Sequence, residues 1–223
     1  LKEEMESAKH LSDIVRDKSK EKNSILDAGS GPGHFILSLR KKLDKEFEYL
    51  GVDITHEHVV DGNNIFKDNP KYNFSHGDIR KLPVKDNSFD ISISSNTVPH
   101  IPNVCKAIKE LIRVSKNDVF IRMLIGNEIL ITKKALTKSL DENCELTSFM
   151  YVNIYTEEFI KEIVGSLGKV FIYEDSFDKE KIEKHYQDQS KVAGKNIATR
   201  IINGEQFKGH LMLPWKIVHI KQY

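Results

Sequence analysis

The chain has 223 residues, 39% of them hydrophobic, with 34 Lys and Arg against 33 Asp and Glu and a net charge of +1. That length suits one α/β domain with a sizeable core, and the near-zero charge excludes the broad electrostatic footprint of a nonspecific nucleic-acid or acidic-membrane binder. Two cysteines, Cys105 and Cys144, supply neither a disulfide framework nor a zinc-spaced set, and no apolar run approaches the ~20 residues of a bilayer span. A charged, amphipathic start is not a secretory signal, so a cytoplasmic setting is expected. A beginning at Leu1 rather than Met leads to the expectation of a trimmed chain.

In chain order, Met5, Ala8, Leu11, Ile14 and Val15 recur at helical spacing and predict an N-terminal helix. "SILDAG" reads as a buried strand running into glycine, "HFILSLRKKL" as a helix with a solvated basic end, and "EYLGVDI" as a second strand ending in acid. "HEHVVDGNNIFKDN" predicts a helix closed by Pro70, "YNFSHGDI" a third strand and turn, and "SFDISISSN" a fourth strand. Asn103 caps the helix "NVCKAIKELIRV", and "DVFIRMLI" follows as strand five. Residues 126–153 break the rhythm and read as an inserted helix and loop. Thr156 then caps a helix that ends at Gly165 and Gly168, "KVFIYED" is strand six, and "GHLMLPWKIVHIKQY" is a last strand in which Pro214 marks a bulge or an edge. Alternating strands and helices imply parallel strands joined by crossovers. The expectation is a doubly wound, Rossmann-like, seven-stranded α/β sheet with helices on both faces. Residues 1–223 form a single domain in this reading, with a core over about 20–125 and an acceptor-specificity insert over about 126–153.

"LDAGSGPGHF" places three glycines, Gly29, Gly31 and Gly33, at the end of strand one. A glycine-rich turn there lets backbone lie against a ligand at the strand carboxyl ends. Gly29 and Gly31 fit a dinucleotide fingerprint, but His34 stands where its third glycine belongs, and no Gly-Lys-Ser/Thr follows, which excludes a P-loop. The pattern is instead D-x-G-x-G-x-G from Asp27 to Gly33.

"ILDAGSGPG" resembles the first motif of class I S-adenosylmethionine-dependent methyltransferases. Four further segments agree in order: Asp53, 22 residues past Gly31; "GDIRKLPVKDNSFD"; "SNTVPHI"; and "AIKELIRVSKNDVFI". The resemblance covers roughly residues 24–125 and implies the following roles. Backbone of Gly29, Ser30, Gly31 and Gly33 approaches the methionine part of the cofactor. Asp27 faces its cationic amino group and Asp53 its ribose hydroxyls. Ile54 packs on the adenine face, Asp78 and Ile79 hold its edge with the acid accepting from the exocyclic amine, and Ser94 or Ser95 lies beneath the sulfonium; alternatively Asp27 is a strand-end cap, Asp53 an ordinary turn acid, Asp78 part of an Asx turn and the two serines small strand residues. The product is S-adenosylhomocysteine, and no metal is required.

Methyl transfer from a sulfonium needs positioning and exclusion of water, and a base only if the acceptor must lose a proton. His100, just past strand four, is the candidate base or acceptor-orienting residue; alternatively it contacts backbone or cofactor at a helix entry. Arg122 pairs either with an anionic group of the acceptor or with a carboxylate of the protein. Tyr151 and Tyr155 either wall the acceptor pocket or pack at its rim, with Asn153 beside them. His210 and Trp215 in the last strand read as core or, alternatively, touch substrate. Asp90, Asn96 and Asp118 do not compose a convincing metal site, and "SNTV" departs from the Asp/Asn-Pro-Pro-Tyr of nucleobase and glutamine amino methylation.

The expected activity is therefore methylation of an O or N atom of a small polar acceptor such as a sugar or secondary metabolite. Two competitors stay open. A protein or RNA methyltransferase calls for a basic or grooved surface beside the crevice, and nucleic acid is disfavoured by the net charge. A non-catalytic cofactor-binding protein calls for a closed acceptor pocket. No membrane partner is expected.

Overall fold

The structure, a computed structural model, describes residues 4–18, 24–43, 46–176, 180, 199–202, 205–208 and 211–223. Within them run α1 (Glu6–Lys18), β1 (Ser24–Ala28), α2 (His34–Lys42), β2 (Glu48–Asp53), α3 (His56–Ile65), β3 (Tyr72–His76) and β4 (Phe89–Ser95). α4 (Val104–Val114), β5 (Ser115–Leu124), β6 (Leu130–Ala135), β7 (Phe149–Ile154), α5 (Glu157–Val164) and β8 (Gly168–Glu174) follow. The chain closes with β9 (Thr199–Ile202), β10 (Glu205–Lys208), β11 (Leu211–Met212) and β12 (Trp215–Gln222).

Seven strands form one sheet in the order β3-β2-β1-β4-β5-β12-β8. β1 to β5 pair in parallel, and β12 pairs antiparallel with both β5 and β8. Strand order reverses between β1 and β4, so the loops leaving those strands diverge and open a crevice at their carboxyl ends.

Both faces are covered. Leu11 of α1, Ile36 of α2 and Val59 of α3 pack with Ile25, Ile91 and Phe120 of the sheet. Ile108 and Leu111 of α4 and Ile160 of α5 pack on the other side with Leu26, Val119 and Val218. α4 buries Val104, Ala107, Ile108, Leu111 and Ile112, a stripe at helical spacing. Each aliphatic side chain so buried contributes about 1.5–3 kcal/mol. The expected caps are present: Asn103 accepts from Lys106 N at 3.1 Å, and Thr156 Oγ1 accepts from Phe159 N at 3.2 Å. Among the described residues no helix is long and apolar enough to cross a membrane.

Two expectations are corrected. The segment after β5 is not a helix and loop but the antiparallel pair β6–β7, in which Thr132 faces Val152 and Leu130 faces Ile154. The helix-favouring run Lys133–Leu136 is overridden by pairing with Phe149–Ile154 and by packing of Val152 and Ile154 on Leu124. The final strand is divided at Pro214, and β12 lies in the sheet interior rather than at an edge. Pro214 precedes the ladder, where its missing N–H costs nothing, and its carbonyl accepts from Ile125 N at 3.0 Å. His210 and residues 181–198 of the charged segment lie outside the described residues.

Candidate functional site

The turn after β1 is built from residues that an ordinary side chain could not replace. Gly29 has φ +79, and a Cβ there would come within 2.7 Å of Thr97 Cβ and Cγ2. Gly31, at φ +53, leaves ordinary van der Waals room, with His34 Cδ2 the nearest atom to a built Cβ at 3.5 Å. Gly33 is buried and leads into α2. Asp53, at the end of the neighbouring β2, holds this turn: Gly31 N donates to its Oδ2 at 2.8 Å and Thr55 N to its Oδ1 at 2.9 Å. His58 Nδ1 lies 3.3 Å from the same Oδ1.

A cavity of about 390 Å³ opens beside the turn. Of the residues singled out from sequence, Gly29, Asp53, Ile54, Asp78, Ile79 and His100 line it. Ile54 is 62% exposed at its rim and presents apolar surface there. Arg80 donates to both oxygens of Asp78, at 2.5–3.0 Å, and these hydrogen bonds are the main reason its carboxyl is held below the usual range. Gly77, Arg80, Asn96, Thr97, Ile101 and Pro102 complete the lining. The sequence signal for Arg80 is its spacing two residues after Asp78. Asn96 carries the signal of a short polar residue at a strand end, where it adopts φ +61.

Other expected site residues lie elsewhere. Asp27 is only 1% exposed and is absent from the cavity wall; Tyr49 OH donates to its Oδ2 at 2.6 Å. Burial pushes its carboxyl up to about 7, with the Tyr49 hydrogen bond opposing and the nearby Asp53 charge adding to the rise. Alternation along β1 explains this placement: Asp27 shares the face of Ile25, under α2 and α3, rather than the strand-end opening. Ser30 Oγ donates back to Gly31 O at 2.9 Å, and Ser94 Oγ to Ala28 O at 2.8 Å, so both hydroxyls brace the turn. Ser95 Oγ is buried without a hydrogen-bond partner.

Arg122 is 5% exposed and pairs with the protein's own Asp175, Nε at 2.8 Å and Nη2 at 2.5 Å. Its Nη1 donates to Asn96 Oδ1, and its Cζ lies 4.0 Å from the Trp215 ring centroid. Tyr155 is a core residue, 2% exposed, stacked on Phe159 with ring centroids 5.6 Å apart. Its hydroxyl oxygen accepts from Asn153 Nδ2 at 3.2 Å. Tyr151 contributes its backbone: His100 Nδ1 lies 2.6 Å from Tyr151 O. Asn153, fully buried, ties β7 to the same turn by donating to Ile101 O at 3.3 Å. Among the described residues no group of three or more His, Cys, Asp or Glu could hold a metal ion.

Known proteins match this arrangement. Norajmaline N-methyltransferase of Rauvolfia serpentina is 29% identical over 114 residues, 50% of this chain and 38% of that protein. An uncharacterized methyltransferase, YcgJ of Bacillus subtilis (strain 168), is 34% identical over 96 residues, 42% of this chain and 37% of that protein. These sequence matches thus cover well under half the length of either relative. Among solved structures, the [4+2]-cyclase SpnF superposes over 95% of this chain and 80% of its own, with TM-score 0.63 and 16% identity. The crystal structure of the Bacillus YcgJ protein covers 96% and 99%, with TM-score 0.55 and 19% identity. At such identities the likeness speaks for the fold. A family model described as a methyltransferase domain matches residues 19–206. Because that match runs through every strand from β1 to β9, and not through the glycine turn alone, the chain belongs to the methyltransferase-domain family, in the class I S-adenosylmethionine-dependent group.

Proposed function

We propose that this chain transfers a methyl group from S-adenosylmethionine to an oxygen or nitrogen atom of a small polar acceptor. The observation that carries this reading is Asp53, whose carboxylate is fixed by Gly31 N–H on the wall of a 390 Å³ cavity beside a turn with no side chain at its closest approaches.

The residues present suit the cofactor. Gly29 brings backbone without a side chain to the cavity wall for the methionine part, and Asp53 retains carboxylate lone pairs for a ribose diol. Ile54 and Ile79 offer apolar surface to a purine, with Asp78, ionised and oriented by Arg80, at its edge. A pyrophosphate would meet two carboxylates here, which disfavours a dinucleotide. When bound, S-adenosylmethionine supplies an electrophilic methyl on a sulfonium. The chain's own part is to bind and orient, exclude water and accept a proton at His100. A carbonyl oxygen can only accept, so the proton shared with Tyr151 O sits on His100 Nδ1, which leaves Nε2 as the ring nitrogen available to take up a proton from the acceptor. In this reading residues 1–223 act as one domain, with the β6–β7 hairpin as its acceptor-specificity element.

Calorimetric titration with S-adenosylmethionine and S-adenosylhomocysteine tests the proposal. Two hydrogen bonds to a carboxylate at ~1.5–3 kcal/mol each predict that Asp53→Ala weakens binding by about 10²–10⁴-fold. Unchanged affinity in Asp53→Ala would reject the assignment.

A second reading, methylation of protein or RNA, is favoured by one observation. A groove of about 490 Å³ adjoins the cavity at Asp78 and Arg80 and carries Lys81, Lys106 and Lys109. Glu110 in the same groove offsets part of that charge. The names of the norajmaline enzyme and of the demethylmenaquinone methyltransferase of Staphylococcus saprophyticus, 31% identical over 94 residues, favour the small acceptor.

A further inference from the structure

Two side chains on the cavity wall have their hydrogen-bonding sense fixed from behind. Asn96 lines the cavity, yet both its backbone and its side chain are held by Arg122: Asn96 N donates to Arg122 O at 3.2 Å, and Asn96 Oδ1 accepts from Arg122 Nη1. A guanidinium can only donate, so the amide is locked with its oxygen toward Arg122 and its Nδ2 hydrogens away from it. Arg122 cannot easily turn to release it. Asp175 takes its Nε and Nη2, and the Trp215 ring covers its plane. The cation behind the amide also polarises it and sharpens Nδ2–H as a donor.

His100, four residues on in the same turn, shows the opposite polarity. With Nδ1–H committed to Tyr151 O, Nε2 is the nitrogen that accepts in the neutral imidazole. The wall therefore carries an amide donor at Asn96 and, in the neutral imidazole, an acceptor at His100, each held from behind.

We propose that Asn96 and His100 together select a neutral acceptor bearing a hydroxyl beside a second, hydrogen-bond-accepting oxygen. The hydroxyl donates to His100 Nε2, and the neighbouring oxygen accepts from Asn96 Nδ2. An amine pair of the same shape is rejected, because its second nitrogen is a poor acceptor for Asn96, and a lone hydroxyl forgoes that contact. The inference rests on the cofactor reading above and names the acceptor class it serves. It makes Asn96 a specificity-determining residue.

The test uses the full chain and three probes of one ring size: catechol, phenol and 1,2-diaminobenzene. S-Adenosylhomocysteine is titrated first. If it does not bind, the cofactor reading has failed, and this inference falls with it. With that ligand saturating, each probe is titrated by NMR on labelled protein. Catechol is expected to bind about 3–10-fold more tightly than either other probe, the value of one neutral hydrogen bond. That advantage should vanish in Asn96→Ala. It should vanish also in Asn96→Asp, which keeps the size and the Arg122 contact but has no N–H to give. The affinity for S-adenosylhomocysteine is measured for each variant first, so that every probe is compared at saturation. Nitrogen-15 spectra, assigned with His100→Gln, should show His100 protonated at Nδ1 and bare at Nε2. Equal binding of the three probes, no binding of catechol, an advantage that survives in Asn96→Asp, or the other imidazole tautomer would each overturn the proposal.

Discussion

Asp27→Asn is expected to stabilise the unliganded protein at alkaline pH and to do nothing at acidic pH. In the folded chain burial raises this carboxyl from its ordinary 3.8 to about 7. Below pH ~4 both folded and unfolded states hold the proton, and the side chain contributes no pH dependence. Between about 4 and 7 the unfolded chain has released its proton while the folded chain keeps it, so stability falls as pH rises. Above 7 the folded carboxylate is ionised and carries the full cost of burial. At ~1.36 kcal/mol per pH unit that cost reaches about 4 kcal/mol, an upper bound because Tyr49 OH and local relaxation soften it. Asparagine keeps an oxygen for the 2.6 Å Tyr49 hydrogen bond and carries no charge. Urea unfolding at pH 4.5, 6 and 8, at constant m, isolates the effect as the difference between variant and parent, since the other titrating groups cancel. The midpoint of the variant should pull ahead progressively with pH. A difference independent of pH, or a variant less stable at pH 8, would refute the reasoning and show that Asp27 is ionised at low cost, with a donor other than Tyr49 supplying the compensation.

Three further outcomes follow from packing and hydrogen bonding. Gly29→Ala should cost roughly 2–5 kcal/mol in thermal or urea unfolding, from positive φ and from collision with Thr97; Gly29→Ala with Thr97→Gly should recover the collision part and leave about 1–2 kcal/mol. Thr156→Ala should cost about 1 kcal/mol by losing the cap on Phe159 N, with Thr156→Ser restoring most of it. Asp118→Ala should cost about 3 kcal/mol in the same assay, because His219 Nε2, buried and 2.8 Å from Asp118 Oδ1, is left without an acceptor.

What the amino-acid sequence determined by itself is local. The three-glycine turn, the acid 22 residues on, the caps at Asn103 and Thr156 and the alternation of strand and helix are all readable, because each depends on neighbours within a turn or on a short period. The glycines are legible since no other residue reaches φ +79 cheaply against Thr97. Tertiary structure alone decided the rest. Asp27 is bound by Tyr49 of the adjacent strand, a partner 22 residues away. Arg122 meets a partner 53 residues away, His100 a carbonyl 51 residues away, and β12 enters the sheet next to a strand almost a hundred residues earlier. The β6–β7 hairpin forms against local helix preference because its cross-strand partners and Leu124 outweigh it. Contacts of that separation leave no period in the chain; they exist only once loop closure has been offset by the packing of the whole sheet.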